Sequence, residues 1–258
     1  MKQLDYVQIL QVRVLNCTME ELMEFTNEGI VNRQLLRGTG INLNQLYLLK
    51  HNPEFTEAVV NSCLLVPDGT PVMWIAKWLG TPLRAKIPGP EYTLELFRLA
   101  AEKGYRVFIL GGKPGSAELA IENIRLKYEN LKIAGYYCPP FGFEKDEGET
   151  NKIVDMLKNS EADILIMALG APKQEIFAER YYQEINIPII FGSGIAIDYF
   201  AGRVKKAPGP INKLGLEWLY RLFQEPKRLF ERYIVHDLPL LLELRKWAKK
   251  EKKRNPRE

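Results

Sequence analysis

The sequence predicts an α/β fold with a mainly parallel β-sheet, helices on both faces of the sheet, and a helical appendage at the C-terminal end. In the first 200 residues, short apolar runs alternate with longer stretches of helical periodicity, as in repeated strand and helix units. No internal repeat or low-complexity linker interrupts this alternation. After about residue 205 the strand-like runs stop, and the remaining segments have helical patterns only.

The predicted elements follow in a regular order along the chain. Short apolar runs bounded by turn residues predict strands at 7–12, 34–39, 63–67, 106–111, 131–136, 163–169 and 187–192. Helical periodicity between these runs predicts helices at 18–29, 43–51, 70–79, 91–103, 116–129, 147–159 and 174–185. The first helix begins with TMEE, in which Thr18 and Glu21 have the spacing of a capping box.

The composition is that of an ordered soluble protein, with 46% hydrophobic and 26% charged residues. The three cysteines form no CxxC pair and no even set, which predicts thiols in a reducing compartment. The first segment, MKQLDYVQIL, has no long apolar core, and no uncharged apolar run reaches the roughly 18 residues that span a bilayer. We therefore expect a cytoplasmic protein without a transmembrane helix.

Positive charge is concentrated near the C-terminal end. Residues 203–258 carry 16 Lys and Arg against 7 Asp and Glu, whereas the preceding 202 residues carry 20 against 25. The last segment, HDLPLLLELRKWAKKEKKRNPRE, places leucines and Trp247 beside the lysines. Two interpretations stay open, a solvated helix that frays at its end and a segment that binds an anionic membrane surface.

Polar side chains follow two of the first predicted strands, at the edge where parallel sheets bind their ligands. PDGT places Asp68 directly after one strand, and RGTGIN places Thr39 and Asn42 after another. Asp68 suits a turn or a helix N-cap as well as a catalytic base, because each of these roles uses its acceptor oxygens. The local sequence leaves these readings open, and RGTGIN is equally compatible with an ordinary turn.

Three later strand ends also carry polar or glycine residues. VFILGGKPGSAELA contains Gly111 and Gly112 before a helix start, which suits either phosphate binding by backbone N–H groups or a tight turn. In DILIMALGAPKQEIF, Gln174 can donate and accept hydrogen bonds, and Lys173 at the helix start fits a nearby anion. A solvated helix start explains the same residues. IIFGSGIAIDYFAG offers Asp198.

Several classes of site have no counterpart in the sequence. The two histidines, His51 and His236, are far apart and have no cysteine or carboxylate cluster around them, so no zinc site is expected. The chain has no G-x-S-x-G elbow and no D-x-D pair that would hold a divalent ion against a nucleotide diphosphate. We therefore expect chemistry that uses a carboxylate and needs neither a metal nor a cofactor.

Four blocks together resemble a known family of bacterial enzymes. They are VPDGTPVMWIAKWLG, ALGAPKQE, GSGIAIDYFAGRVKKAP and GLEWLYRLFQEPKRLFERY. In this order and spacing they resemble the WecG/TagA/CpsF glycosyltransferases, and the resemblance covers roughly residues 5 to 235.

The resemblance implies a Rossmann-like catalytic domain of the class called GT-E, at residues 1–204, and a basic helical membrane-docking appendage at 205–258. It implies an inverting, metal-independent transfer of a hexose, N-acetylmannosamine or a related sugar, from a UDP-sugar to a polyprenyl-diphosphate-linked sugar. Such enzymes act in the synthesis of cell-surface polysaccharide or teichoic acid. They dock on the inner face of the cell membrane, so an anionic membrane surface is an expected partner and nucleic acid is not.

The resemblance also assigns roles to individual residues. Asp68 matches the proposed base, whose pKa we expect burial or docking of the appendage to raise. Side chains that match substrate-binding positions are Thr39 and Asn42 in the acceptor pocket, Gln174 near the donor sugar, and Arg221, Arg228 and Arg232 for diphosphate oxygens. The residues that match nucleotide-facing loops are Gly111, Gly112 and Asp198.

The chain departs from the family pattern in the segment KIPGPEY. Lys86 stands where many members have Arg, and Glu91 stands where they have Asp. Lysine neutralises a phosphate without the bidentate fork of arginine, so we expect substrate contacts at this place to differ. The turn TGIN is also one residue longer than the usual TxN.

Two other functions are alternatives to the glycosyltransferase. A nucleotide-dependent Rossmann oxidoreductase lacks support because GxGxxG and its acidic partner are absent. A non-catalytic membrane-binding module would not need polar groups at so many strand ends. The sequence does not identify the donor sugar, the acceptor, the linkage or the polymer, and it does not decide between a monomer and a homo-oligomer.

Overall fold

The computed structural model describes residues 3–205, 208, 217–224 and 226–254, without the side chains of residues 217 and 228. The strands are β1 (Tyr6–Ile9), β2 (Val12–Leu15), β3 (Leu36–Ile41), β4 (Leu64–Pro67), β5 (Arg106–Gly111), β6 (Lys132–Tyr137), β7 (Ile164–Ala168) and β8 (Ile189–Gly192). The first six helices are α1 (Met19–Val31), α2 (Leu43–His51), α3 (Pro53–Val60), α4 (Thr70–Leu79), α5 (Gly89–Lys103) and α6 (Ser116–Arg125). The next three are α7 (Glu147–Lys158), α8 (Lys173–Ile185) and α9 (Ala196–Phe200), and a short 3₁₀ turn covers Phe143–Lys145.

A six-stranded, wholly parallel sheet organises the chain and confirms the predicted fold class. The strand order is β4-β3-β8-β7-β5-β6. The two outer pairs of strands therefore come first in the sequence, and the two central strands, β7 and β8, come last. In β7 every residue is buried, because helices cover both faces. Ile164 and Ile166 join the core cluster under α1, α5 and α6, whereas Leu165 and Met167 face the cluster under α7 and α8.

The prediction of a single strand at 7–12 is wrong. The segment forms a hairpin of β1 and β2, in which Ile9 pairs with Val12, and it lies outside the parallel sheet. Leu10 makes the turn with a φ of 52°, a conformation that leucine rarely adopts. Buried residues alternate within each strand, and the turn between them, Leu10 and Gln11, has no glycine or asparagine that would signal a hairpin.

The other predicted strands and all seven predicted helices are present, with ends shifted by a few residues. The capping box of α1 is confirmed: the Thr18 hydroxyl accepts from the Glu21 N–H, and the Glu21 carboxylate accepts from the Thr18 N–H at 2.9 Å. Two further helices, α3 and α9, were not predicted. Asn52 caps α3, and Pro53 occupies its first turn.

The described part of the chain after residue 216 is helical, as predicted. We call residues 217–224 and 226–254 the arm. It contains α10 (Glu217–Gln224), α11 (Pro226–Phe230), a π-helical segment (Glu231–Asp237) and α12 (Leu238–Arg254). The rest of the predicted appendage, at 206–207, 209–216, 225 and 255–258, lies outside the described residues.

The arm packs on α2 and α4. Leu240 and Leu244 of α12 are buried in the core cluster that those helices form with the hairpin. His236 stacks on Tyr47 of α2, with ring centroids 4.5 Å apart, and Arg245 lies over the ring of Trp78. In the part of the chain that the structure describes, no helix combines the length and the apolar character that crossing a bilayer requires.

Candidate active site

A cavity of about 410 Å³ opens at the carboxyl edge of β3, β4, β7 and β8. Its lining comes mainly from the ends of these four strands and the segments that follow them, with further residues from the start of α5, from Lys113 after β5, and from Arg221 and Arg232 of the arm. Parallel strands end at one edge of a sheet, so residues far apart in sequence meet there. The predicted residues that line the cavity are Thr39, Asn42, Asp68, Gln174, Asp198, Arg221 and Arg232.

Asp68 is half-buried at the end of β4. Its N–H donates to the Ile41 carbonyl at 2.9 Å, and Asn42 Nδ2 donates to Asp68 Oδ2 at 3.2 Å. The N-cap of α4 is Gly69 and not Asp68. A Cβ atom on Gly40 would lie 2.8 Å from the Asp68 Cβ, so the glycine in the neighbouring strand makes room for this side chain. The carboxylate therefore lines the cavity with one oxygen oriented by an amide.

Thr39 and Asn42 lie on the same side of the cavity as Asp68. Thr39 is buried in β3, and its hydroxyl donates to the Gly192 carbonyl at 3.0 Å. Asn42 is the N-cap of α2, where its Oδ1 accepts from the Asn44 N–H at 3.0 Å. Since the same side chain caps a helix and holds Asp68, the direction of the carboxylate is fixed by local structure.

Gln174 is 2% exposed in the first turn of α8. Its Oε1 accepts from the Gly170 N–H at 3.1 Å, and its Nε2 donates to Glu175 Oε1 at 2.9 Å. A Cβ atom on Gly192 would lie 2.6 Å from Gln174 Nε2, so the side chain needs a glycine opposite it. Lys173, whose position predicted a nearby anion, pairs with Glu144 at 2.6 Å.

Glu175 is a buried carboxyl group behind Gln174. Its Oε2 has no hydrogen-bond partner within the described part of the chain. Burial raises the pKa of Glu175 above its ordinary value. Hydrogen bonds to the carboxyl group, of which the one from Gln174 has the largest effect, lower the pKa by less than burial raises it. The sequence analysis left a solvated helix start open as one interpretation of this segment, and the local pattern gave no signal for the burial of Glu175.

Asp198 organises the loop after β5. Its Oδ1 accepts from the Ser116 hydroxyl at 2.7 Å and from the Lys113 N–H at 3.4 Å. Gly111 and Gly112 have φ angles of 102° and 86°, and a Cβ on Gly111 would lie 2.6 Å from the Ala168 carbonyl oxygen. The two glycines shape the loop, whereas Lys113 and Asp198 line the cavity.

Besides Gly111 and Gly112, three predicted site residues are not among those that line the cavity. Lys86 is half-buried before α5, and Glu91 is exposed in the first turn of α5, where Gly89 lines the cavity instead. The side chain of Arg228 lies outside the described part of the structure.

Gln45 is a lining residue that the sequence analysis did not select. It is 7% exposed on α2, three residues after Asn42, and the two positions share a helical face. Gln45 Oε1 is buried and has no hydrogen-bond partner in the described residues. A buried acceptor of this kind is commonly satisfied by a ligand or a water. The helical spacing from Asn42 was the available signal.

The chemistry of the cavity combines a carboxylate with cationic groups. Asp68 lies among amide and hydroxyl groups at the strand ends, and Arg221 and Arg232 come from the arm. Among the described residues, no group of three or more His, Cys, Asp and Glu side chains is placed to hold a metal ion. The arrangement can accept a proton from a hydroxyl group and bind an anion such as a phosphate.

Comparison with known proteins identifies the family. The family described as Glycosyl transferase WecG/TagA/CpsF family matches residues 7–254. The N-acetylglucosaminyldiphosphoundecaprenol N-acetyl-beta-D-mannosaminyltransferase of Bacillus spizizenii is 32% identical over 177 residues, which are 69% of this chain and 66% of that enzyme. The Staphylococcus aureus enzyme of the same name is 28% identical over 233 residues, or 86% of each chain. The chain belongs to the WecG/TagA/CpsF family of glycosyltransferases.

Proposed function

We propose that the protein transfers a hexose, N-acetylmannosamine or a related sugar, from a UDP-sugar to a polyprenyl-diphosphate-linked sugar, with inversion and without a metal. One observation carries the proposal: an oriented carboxylate, Asp68, shares a cavity with the arginines of the arm. The relatives are named as enzymes that transfer an N-acetylmannosaminyl group to N-acetylglucosaminyldiphosphoundecaprenol. Membership of this family favours a glycosyltransferase over an oxidoreductase or a non-catalytic module.

Asp68 is the proposed base. The acceptor hydroxyl gives its proton to Asp68 while its oxygen attacks the anomeric carbon of the donor. The bond between that carbon and the β-phosphate oxygen breaks, and UDP leaves with the electron pair. One in-line displacement inverts the configuration, and the Asn42 amide keeps the carboxylate oriented throughout.

The arm supplies the proposed binding groups for the departing diphosphate. Arg221 and Arg232 line the cavity together with Lys113. Negative charge grows on the β-phosphate as the bond breaks, and fixed cations stabilise that charge more in the transition state than in the substrate. The arginine fork also binds phosphate oxygens bidentately, so these side chains suit a metal-independent transfer.

We also propose that residues 205–258 form a membrane-docking unit beside a catalytic domain of residues 1–204. Phe223 is 78% exposed and Phe230 is 58% exposed on the arm, and lysines are exposed near the end of α12. Aromatic rings and lysines on one helical unit suit the surface of an anionic bilayer, where a polyprenyl acceptor resides. This would place the protein as a peripheral protein on the inner face of the cell membrane.

Vesicle binding tests the membrane role. The double variant Lys249→Glu and Lys253→Glu should reduce sedimentation with anionic vesicles, since each cation near such a surface contributes about 1 kcal/mol. Neutral vesicles and the variant Lys127→Glu, outside the arm, serve as controls. Unchanged binding of the double variant to anionic vesicles would contradict the proposal.

The reaction is tested with a panel of UDP-sugars and a short-chain GlcNAc-diphosphate-lipid acceptor. We expect mass spectrometry to detect a product that is heavier by one N-acetylhexosamine, and NMR of the new linkage to show the inverted configuration. EDTA should leave the rate unchanged. Transfer of another sugar would correct the donor, a rate that depends on added metal would contradict the metal-independent step, and no transfer from any UDP-sugar would refute the proposal.

A further inference from the structure

Asp237 is a buried charged residue of the arm that the proposed mechanism does not use. It is 6% exposed, and its Oδ1 has no hydrogen-bond partner among the described residues. Burial raises the pKa of its carboxyl group above the ordinary value, and Arg232 gives the largest opposing effect. Carboxylates are rarely buried unless they are paired, so this residue needs a reason for its position.

The π-helical segment brings Asp237 to Arg232. Leu238 N–H donates to the Tyr233 carbonyl, five residues back, and Pro239 follows with no N–H to continue an α-helical pattern. In an α-helix, residues five apart point about 140° away from each other. In a π turn they lie one above the other, and Arg232 Nε here lies 3.6 Å from Asp237 Oδ2.

Arg232 connects this pair to the active site, because it lines the same cavity as Asp68. The nitrogen closest to Asp237 is Nε, whereas a bidentate contact with phosphate uses the two terminal nitrogens of the guanidinium. The segment is also anchored beside the site. His236 stacks on Tyr47 of α2, the helix whose N-cap, Asn42, orients the base.

An arginine side chain has many rotamers, and each contact that restricts them reduces the entropy lost when a ligand binds. At 3.6 Å from Nε, the Asp237 carboxylate attracts the guanidinium and so restricts where that group can lie. We propose that Asp237 is a positioning residue, which holds the Arg232 guanidinium in the cavity so that its fork meets the diphosphate of the nucleotide sugar. This inference rests on the proposed function.

Binding measurements separate this role from simple stabilisation of the arm. Dissociation constants for UDP and for uridine, which lacks the phosphates, are measured by NMR titration for the full chain. The variants are Asp237→Asn, Arg232→Gln and the double variant, with Glu231→Gln as a control for an exposed carboxylate in the same π segment.

We expect Asp237→Asn to weaken UDP binding about tenfold, because the partly buried ion pair that restricts Arg232 is lost, and to leave uridine binding unchanged. In the Arg232→Gln background the same substitution should have no further effect, because there is no guanidinium left to position. Glu231→Gln should bind both ligands like the wild type.

Other results would overturn the inference. UDP binding that is unchanged in Asp237→Asn, or that falls equally in both backgrounds, would show that Asp237 does not act through Arg232. An equal loss of uridine binding would show that the cavity has collapsed. If the wild type binds pyrophosphate and not UDP, the proposed donor is wrong. The same comparison of the two single variants and the double variant, made with pyrophosphate as ligand, then decides the role of Asp237. A wild type that binds neither ligand contradicts both proposals.

Discussion

The strand ends and the arm contribute to one cavity in different ways. At the strand ends, Thr39, Asn42 and Gln174 are held by hydrogen bonds to backbone groups or neighbouring side chains of the sheet domain. The arm brings Arg221 and Arg232 to the cavity on helices whose position depends on side-chain packing against α2 and α4. The proposed base is thus held by hydrogen bonds within the sheet domain, and the proposed phosphate ligands are held by a helix interface.

The strongest test of this contrast is at the strand ends. Asp68→Asn keeps an acceptor for the Asn42 amide and removes the base, so we expect kcat to fall by about 10²–10⁴-fold while UDP affinity is retained. Steady-state kinetics and UDP titration measure the two effects. Asp155→Asn, at an exposed position on α7, should change neither value. Near-normal turnover by folded Asp68→Asn would reject the assignment of the base.

A packing substitution tests whether the arm folds together with the sheet. Leu244→Ala removes a fully buried side chain from the interface and should lower the free energy of unfolding by about 2–5 kcal/mol. Leu242→Ala, on the same helix but 54% exposed, is the matched control and should have little effect. Denaturant unfolding measures both. If the two variants are equally stable, the arm is not part of the cooperative unit.

A substitution of Arg221 tests whether the arm provides a specific phosphate contact in the cavity. Arg221→Gln should weaken UDP binding about tenfold and leave uridine binding intact, because a charged hydrogen bond to phosphate is lost. Lys227→Gln removes an exposed cation from the arm and serves as the control in the same titrations. Equal effects of the two substitutions would indicate general electrostatic attraction and no specific contact.

A substitution of Gln45 tests whether its buried Oε1 acceptor binds a sugar of the substrate. Gln45→Leu keeps the approximate shape and removes the unpaired Oε1 acceptor. We expect the KM for the lipid-linked acceptor to rise about tenfold and the free energy of unfolding to rise by about 1 kcal/mol, since an unsatisfied polar atom is removed. Kinetics and denaturant unfolding give the two values. An unchanged KM would mean that no substrate group binds there.

The smallest expected effect concerns Glu175. Its pKa is raised in the folded state, so above the unfolded value of about 4.3 the unfolded chain ionises more easily and folding is destabilised. Glu175→Gln should therefore raise Tm by about 2–4 °C near pH 7, for a gain of about 1 kcal/mol. The gain should disappear below pH 4, where both states are protonated. Glu184→Gln, exposed on the same helix, should show no such pH dependence.

The sequence predicted the parallel sheet and its functional edge because both follow from local patterns. Apolar runs end at turn residues, and this placed Asp68 and Gln174 at strand ends, where the structure has them. Patterns of this kind cannot report long-range packing. The hairpin turn at Leu10 has an unusual residue for its φ, and it was therefore read as part of a strand.

Other features of the structure depend on tertiary packing and on local helix geometry, which sequence patterns do not report. Lys86 and Glu91 were assigned to the site by position in a motif, and neither is among the residues that line the cavity. Asp237 could not be connected with Arg232, because helical periodicity assumes α geometry and puts the two on different faces. The burial of Glu175 likewise depends on tertiary packing.

The division of the cavity between distant parts of the sequence also affects how the protein is made. Synthesis proceeds from the amino end, so the strands and Asp68 leave the ribosome well before Arg221 and Arg232. A nascent chain would already carry the proposed base but would lack the cations that the departing diphosphate requires. On the proposed function, we therefore expect sugar transfer only after the last helices have docked.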